Sequence, residues 1–385
     1  MLWIIFQVLI GYNLILPILL FFFSGVKRST FSVLKPSTFQ HDFAVIVTAY
    51  EETAHLPAVV NSLLQLDYNN YLIYIVADKC DVSKLNFGDN RVILLRPEET
   101  LASNTRSHFY AINRFKRPHE ILTIIDSDNL VDPQYLNVIN EWLAKDFKAV
   151  QGLRSAKNID TLYAGLDAAR DMYYHFYDGQ LLFNAGSSAT LAGSGMAFNV
   201  NLYKECLEHL NIEGAGFDKV LQFEIVKRGY RIAFTEDAIV YDEKTAKSDQ
   251  LVKQRARWIN TWFKYFKLGF VLVYKGLATF NWNKFLFGVI LLRPPLFIFL
   301  LLSLLCMFIN LFISWAFVFI WLTAFVLFIS SFFIALKRGK ADERIYKSLV
   351  NIPRFMFYQI LSLLKIRKAN KYSVATKHYS ENEVK

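Results

Sequence analysis

Residues 121–133 read ILTIIDSDNLVDP. The segment 121–125 is apolar except for Thr123 and mostly β-branched, the composition of a strand buried on both faces. Asp126 and Asp128 follow at once, with one serine between them. Two carboxylates side by side at a strand end repel each other unless a cation or a donor-rich ligand sits between them.

Working outward, the same kind of run recurs at FAVIVTAY (43–50), YLIYIVAD (71–78), RVILL (91–95) and KAVQGL (148–153). Amphipathic stretches at 54–66 and 103–115 separate them, and Asp132–Pro133 reads as a helix start, with an N-cap and a proline at the first position. Strand and helix in alternation predict an α/β fold: a mostly parallel sheet with helices on both faces. Ligands of such sheets lie beyond the carboxyl ends of the strands. There the sequence places Tyr50, Glu51 and Glu52, then Asp78 and Asp81, then Asp126 and Asp128. An oxygen-only ligand set suits Mg²⁺ or Mn²⁺, which take one or two carboxylates plus substrate phosphates. Taken alone, D-x-D is also a common cap or turn.

Further along, SATLAGSGMAFN (188–199) holds Gly193, Ser194 and Gly195, small enough for a substrate to approach the backbone, or simply a turn before a strand. GFDKVLQFEIVKRGYRI (216–232) places Asp218 near the start of a helix ending at Gly229, where it could also serve the helix dipole. In QRARW (254–258), Gln254, Arg257 and Trp258 fall at i, i+3 and i+4 on one helical face. The alternative there is a membrane-proximal helix with an interfacial tryptophan.

The 385 residues are 54% hydrophobic, with a mean hydropathy of +0.25, too apolar for a plain soluble enzyme. Residues 1–24 carry no charge, and the basic pair Lys27–Arg28 follows the run instead of preceding it, which favours a retained anchor over a signal peptide. Residues 285–336 contain one charged residue, Arg293, beside Pro294–Pro295. Two spans fit between Pro294 and Leu336 with a turn near Asn310–Ser314, residues 285–292 being either the start of the first span or a helix at the interface, and Arg293 reads as snorkelling to the headgroups. Lys27, Arg28, Lys337, Arg338 and Lys340 then lie on the cytoplasmic side. The expected organisation is an anchor at 1–28, a cytoplasmic catalytic domain at 29–265, an interfacial segment at 266–293, a transmembrane hairpin at 294–336 and a basic tail at 337–385 with an interfacial helix. The formal charge of +10 suits anionic lipid, and no nucleic-acid module accompanies it. Cys80, Cys206 and Cys306 are too scattered for a metal knuckle or disulfide framework.

In order, these motifs resemble those of the membrane-bound, processive-type family 2 glycosyltransferases, the group of cellulose, chitin and hyaluronan synthases, over about residues 40–262. VTAYEE (47–52), VADKCD (76–81), DSD (126–128), Phe217–Asp218 and QRARW carry the resemblance. It implies a nucleotide-sugar glycosyltransferase A-type fold and transfer from a UDP-sugar to a growing polysaccharide or glycan at the cytoplasmic membrane face, with inversion. It also implies roles. Ala49, Tyr50, Glu52 and Asp78 would contact the nucleotide. Asp126 would lie by the nucleotide and share the metal with Asp128, and Asp218 would be the general base. Arg257 would face the diphosphate, and Gln254, Trp258, Gly193 and Ser194 the acceptor. Departures are Phe217 where the family has glutamate, Glu51 where it often has asparagine, and His108, with Arg106 nearby, where many members have lysine. Addition of one sugar to a lipid or lipid-linked acceptor is the alternative, and an inactive membrane assembly subunit a third. A homo-oligomer or an export partner would complete a polymer channel.

Overall fold

The computed structural model describes residues 1–26, 39–212, 214–245 and 248–365. Lys27, Arg28, Glu213 and residues 366–385 of the basic tail lie outside them. After helix α1 (Leu2–Val26), the chain alternates β1 (Phe43–Tyr50), α2 (Leu56–Leu64), β2 (Tyr71–Asp78), β3 (Val92–Leu95), α3 (Asn104–Ile112), β4 (Ile121–Asp126), β5 (Leu130–Val131), α4 (Tyr135–Leu143), β6 (Ala149–Ala156) and α5 (Leu162–Tyr174). A π-helical turn (His175–Leu181) runs into the short α6 (Leu182–Asn184). Then come β7 (Met196–Asn199), α7 (Val200–Leu207), α8 (Phe217–Lys227), β8 (Ala233–Asp242) and α9 (Ser248–Tyr265). The rest is helical: α10 (Leu268–Ala278), α11 (Trp282–Leu292), α12 (Leu296–Asn310), α13 (Trp315–Arg338), α14 (Glu343–Ser348) and α15 (Ile352–Leu364).

The strands form one sheet in the order β3-β2-β1-β4-β7-β6-β8-β5. β3, β2, β1 and β4 run parallel, β7 is antiparallel to both β4 and β6, and β6 runs parallel to β8. The expected mostly parallel sheet with packed helices is present. β1 and β4 are buried almost throughout, with only their carboxyl-terminal residues reaching half-exposure. Each buried Val or Ile in them contributes about 1.5–3 kcal/mol. That forces the apolar runs inside and leaves their polar ends, Tyr50 and Asp126, at the sheet edge.

Three expectations need correction. The helix α4 begins later than Asp132–Pro133 predicts: residues 130–131 pair with β8, residues 133–134 form a turn, and the first α-helical residue is Tyr135 behind Gln134. The Asp132 carboxylate still accepts from the Gln134 N–H at 2.9 Å, the cap-type bond expected of it. Secondly, α12 has 15 residues, too short to cross a bilayer alone at 1.5 Å per residue. Two helices, Leu2–Gly25 and Trp315–Arg338, are long and apolar enough to span, and α11 with α12, bent by 74° at the proline break, is either one broken span or a re-entrant pair. Thirdly, Arg293 does not snorkel. It is buried at that break and ion-paired with Asp178 of the π-helical turn.

Candidate active site

Where β4 ends, the Ser194 hydroxyl accepts the N–H of Asp126 at 3.0 Å and lies 2.9 Å from the Asn129 amide. Oriented to satisfy its neighbours, Asn129 takes the Ser194 O–H on its oxygen and donates to Asp128 at 2.9 Å and to Asp242 at 3.3 Å. Ser194 is fully buried, so it braces the aspartate turn from beneath instead of meeting an acceptor. Gly193 beside it adopts a left-handed φ of +93°, which glycine tolerates without strain.

Opposite this turn stands the first turn of α8. Gly216 precedes it at φ +103°, and a Cβ there would lie 2.6 Å from the Thr261 methyl and 2.7 Å from the Tyr265 ring. The close approach presses the start of α8 onto α9. Phe217 turns inward, its ring 5.0 Å from that of His108. His108 is wholly buried, bonded to the Tyr203 hydroxyl at 2.7 Å, and desolvation pulls its pKa down to about 3. It is a neutral core histidine, not a phosphate ligand. Asp218 has Lys219 Nζ at 3.2 Å, and that ammonium also donates to the Leu191 carbonyl at 3.3 Å. Glu224, six residues further along α8, is paired with Lys227 and Arg228 and is unavailable as a base.

α9 brings QRARW alongside. Gln254, Arg257 and Trp258 do share a wall, as their spacing predicts, but the buried charge of the motif is Arg255. Arg255 pairs with Asp167 of α5, and the Trp258 ring has the guanidinium carbons of Arg255 and Arg170 at 4.1 and 4.3 Å from its centroid. A charge network continues inward. Arg170 meets Asp171 at 2.5 Å, Lys244 meets Asp171 at 2.5 Å and Asp242 at 2.6 Å, and Arg154 meets Asp242 at 2.6 Å. Burial alone would push the Asp171 carboxyl up, but Lys244 and Arg170 outweigh it and hold it well below the usual range. Burial would likewise lower the Lys244 ammonium, and Asp171 and Asp242 raise it instead. Asp171, Asp242 and Lys244 therefore stay ionised, while burial raises the Asp167 carboxyl to about 6, and the ion pairs tie α5, β6, β8 and α9 to one another. The sequence carried a signal for it in DAARD (167–171), whose charges fall on one helical face, and in the carboxylate ending β8, but nothing that paired them.

At the carboxyl end of β1, Tyr50 and Glu52 face the opening, with Glu52 accepting the Thr53 and Ala54 N–H groups at 2.9 and 3.0 Å. Asp78 does not face it. It is 2% exposed, and its two oxygens accept from Leu101 N at 2.9 Å and Ala102 N at 2.7 Å. Its charge holds a loop. Ala49 is buried within β1 and supplies backbone only. Glu51 pairs with Lys79 at 2.7 Å, and Arg106 bonds Leu101 and Asn211.

One cavity of about 620 Å³ joins Tyr50, Glu52, Asp126, Asp128, Gly193, Asp218, Gln254, Arg257 and Trp258. Residues 41–261 match the family described as "Glycosyltransferase like family 2". The chain belongs to that family. A search of curated proteins finds no match. Among solved structures, the chain is similar to the mannosyltransferase PcManGT from Pyrobaculum calidifontis, solved with GDP-Man and Mn²⁺. The TM-score is 0.56 at 15% identity, covering 92% of this chain and 98% of that one, a likeness of fold. As a member of this family the protein is a glycosyltransferase. Its aspartate turn fits a divalent ion. The donors are oxygens only, and among the described residues no three His, Cys, Asp or Glu side chains gather to hold an ion unaided. Two such carboxylates could hold Mg²⁺ or Mn²⁺ only together with substrate phosphates.

Proposed function

We propose that this family 2 glycosyltransferase moves a sugar, with inversion, from a nucleoside diphosphate to an acceptor hydroxyl at the cytoplasmic face of a membrane. The observation that carries the reading is the shared cavity: the Asp126–Asp128 turn, Asp218 and the Gln254–Trp258 helix all open into it. Asp126 and Asp128 would hold the divalent ion, whose charge offsets that developing on the leaving diphosphate. Arg257 adds fixed positive charge on the same wall. The acceptor oxygen forms its bond to the anomeric carbon as the carbon–oxygen bond to phosphate breaks. The bonding pair leaves with the nucleoside diphosphate, and the hydroxyl proton passes to the Asp218 carboxylate. One in-line displacement inverts the anomeric configuration.

A UDP-sugar is the donor implied by the motif resemblance. A GDP-sugar is the second reading, favoured by the GDP-Man held by PcManGT and by Asp78, which is turned away from the nucleotide end. The intact carboxylate set speaks for catalysis over an assembly role. The test is release of nucleoside diphosphate by the purified full chain, offered a panel of UDP- and GDP-sugars. Release with one donor class, lost in excess chelator and restored by Mn²⁺ or Mg²⁺, is expected. Full turnover in chelator, or no release from any donor, contradicts the proposal.

A further inference from the structure

Gln222 stands one turn after Asp218 on α8, at i+4 and so on the same face, and lines the same cavity. It is fully buried. Its side-chain oxygen takes the Leu191 N–H at 2.9 Å, which fixes the amide and leaves Nε2 as its other end; among the described residues that donor has no partner. The preceding residue, Thr190, donates its N–H to the Asp178 carbonyl at 3.0 Å, and Lys219 donates to the Leu191 carbonyl at 3.3 Å. Thr190 and Leu191 thus bring Gln222, Asp178 and the turn bearing Asp218 to one stretch of the cavity wall. Asp178 is 4% exposed. Its Oδ2 accepts from Arg293 Nη2, while Oδ1, like Arg293 Nη1, has no partner among the described residues. Buried polar atoms are nearly always paired, so three unpaired ones on a cavity wall ask for a ligand. Two are donors, Gln222 Nε2 and Arg293 Nη1, and one is an acceptor, Asp178 Oδ1. A hydroxyl is their complement, with two lone pairs to accept and one O–H to donate.

We propose that Gln222, with the Asp178–Arg293 pair, selects the acceptor by binding a second, non-reacting hydroxyl on the same sugar ring as the one that Asp218 deprotonates. This rests on the transferase reading above and adds no chemical step to it. The second hydroxyl accepts from Gln222 Nε2 and Arg293 Nη1 and donates to Asp178 Oδ1. Residues at i and i+4 lie about 5–6 Å apart at Cβ, a separation that two hydroxyls of one ring can bridge. The Leu191 N–H and the ion pair orient these groups before the acceptor arrives, so little ordering is left to binding. An acceptor without the second hydroxyl leaves the buried groups unpaired, and sites of this kind reject a deoxy analogue far more strongly than an apolar pocket rejects a missing methylene.

The test is transfer by the full chain, from the donor class that supports nucleotide release, to the methyl glycosides of glucose, galactose and mannose and to their monodeoxy forms. Product linkage identifies the reacting hydroxyl. One monodeoxy form that keeps it should fall at least about a hundredfold in kcat/KM below its parent glycoside. On Gln222→Leu that discrimination should shrink by about tenfold or more, as it does only where amide and hydroxyl touch. Where Gln222→Leu fails to fold, Gln222→Glu, which keeps an oxygen for the Leu191 N–H, carries the comparison. Monodeoxy forms all turned over within about threefold of the parent mean that the unpaired atoms hold resident water only. Undiminished discrimination in the folded variant means that another group reads the hydroxyl, and transfer to none of the glycosides means that this wall reads no sugar ring. Each of these overturns the proposal. Nucleotide release from donor alone separates the two readings. If release occurs and the deoxy discrimination is absent, only the hydroxyl site fails; if no donor gives release, the transferase reading fails.

Discussion

Phe217 and Asp218 are adjacent yet do opposite jobs, because the first turn of α8 points one into the core and the other into the cavity. Phe217 closes on His108, so the buried imidazole stands in the core and not by the phosphates. This has a consequence in acid. Unfolded, His108 takes a proton near pH 6.5; folded, desolvation withholds it until about 3. Between those values the unfolded chain binds more protons, so stability is lost as pH falls, by about 2 kcal/mol from His108 alone at pH 5. His175, which burial lowers to about 4 despite the opposing pull of Asp171, acts in the same direction. The midpoint of thermal unfolding should therefore drop between pH 7.5 and 5, and His108→Gln should drop less. An equal drop would mean that His108 titrates in the folded protein. At the aspartate turn, Asp128→Ala should abolish metal-dependent release while leaving the unfolding midpoint at pH 7.5 within a few degrees. Persistent Mn²⁺ activation in that variant would remove Asp128 from the metal site.

At the scale of elements, the site is made by α8 and α9 meeting across Gly216. A methyl group there strikes Thr261 and Tyr265 and also demands a left-handed backbone, so Gly216→Ala should displace Asp218 by tenths of an ångström to one ångström. Displacements of that size cost about a hundredfold in rate. Steady-state transfer by a folded Gly216→Ala chain should show this loss mainly in kcat. Unchanged kcat would mean that α8 does not set the geometry. The strands that carry Asp126 and Tyr50 were legible because buried parallel strands announce themselves by composition, and the helix carrying Asp218 by its glycine at each end. The roles of Asp78, Ser194 and Arg255 were not. Whether a carboxylate at a strand end faces a ligand or the next loop is decided by residues distant in sequence, here Leu101 and Ala102. Arg255 and Arg257 are two positions apart, and only the packing of α15 on α9 and the Asp167 carboxylate of α5 select which is buried.

Across the whole molecule, polar contacts tie the long apolar helices to one another and to the catalytic domain. Gln7 of α1 accepts from Asn310 at 2.5 Å and Trp321 at 2.8 Å, and Tyr177 donates to the Ser331 carbonyl of α13 at 2.8 Å. α14 and α15 pack back on α5 and α9, so the chain after α13 returns to the side of the catalytic domain. If α13 crosses the bilayer, parity requires the bent pair α11–α12 to cross as well. Hydropathy shows the apolar runs, but not that one is broken around a buried Arg293–Asp178 pair, since Asp178 lies 115 positions away. A cysteine placed at Ile313 should label with impermeant reagents in intact cells, and one at Lys340 should not; the reverse pattern would invert the topology. The central claim, that the cavity transfers sugar with Asp218 taking the proton, has its most direct test in Asp218→Asn, which keeps the shape and removes the basic oxygen. At matched donor occupancy, the variant should bind donor and metal as wild type does and lose about two to four orders of magnitude in transfer rate. Transfer at the wild-type rate by a variant that binds donor normally would contradict the account.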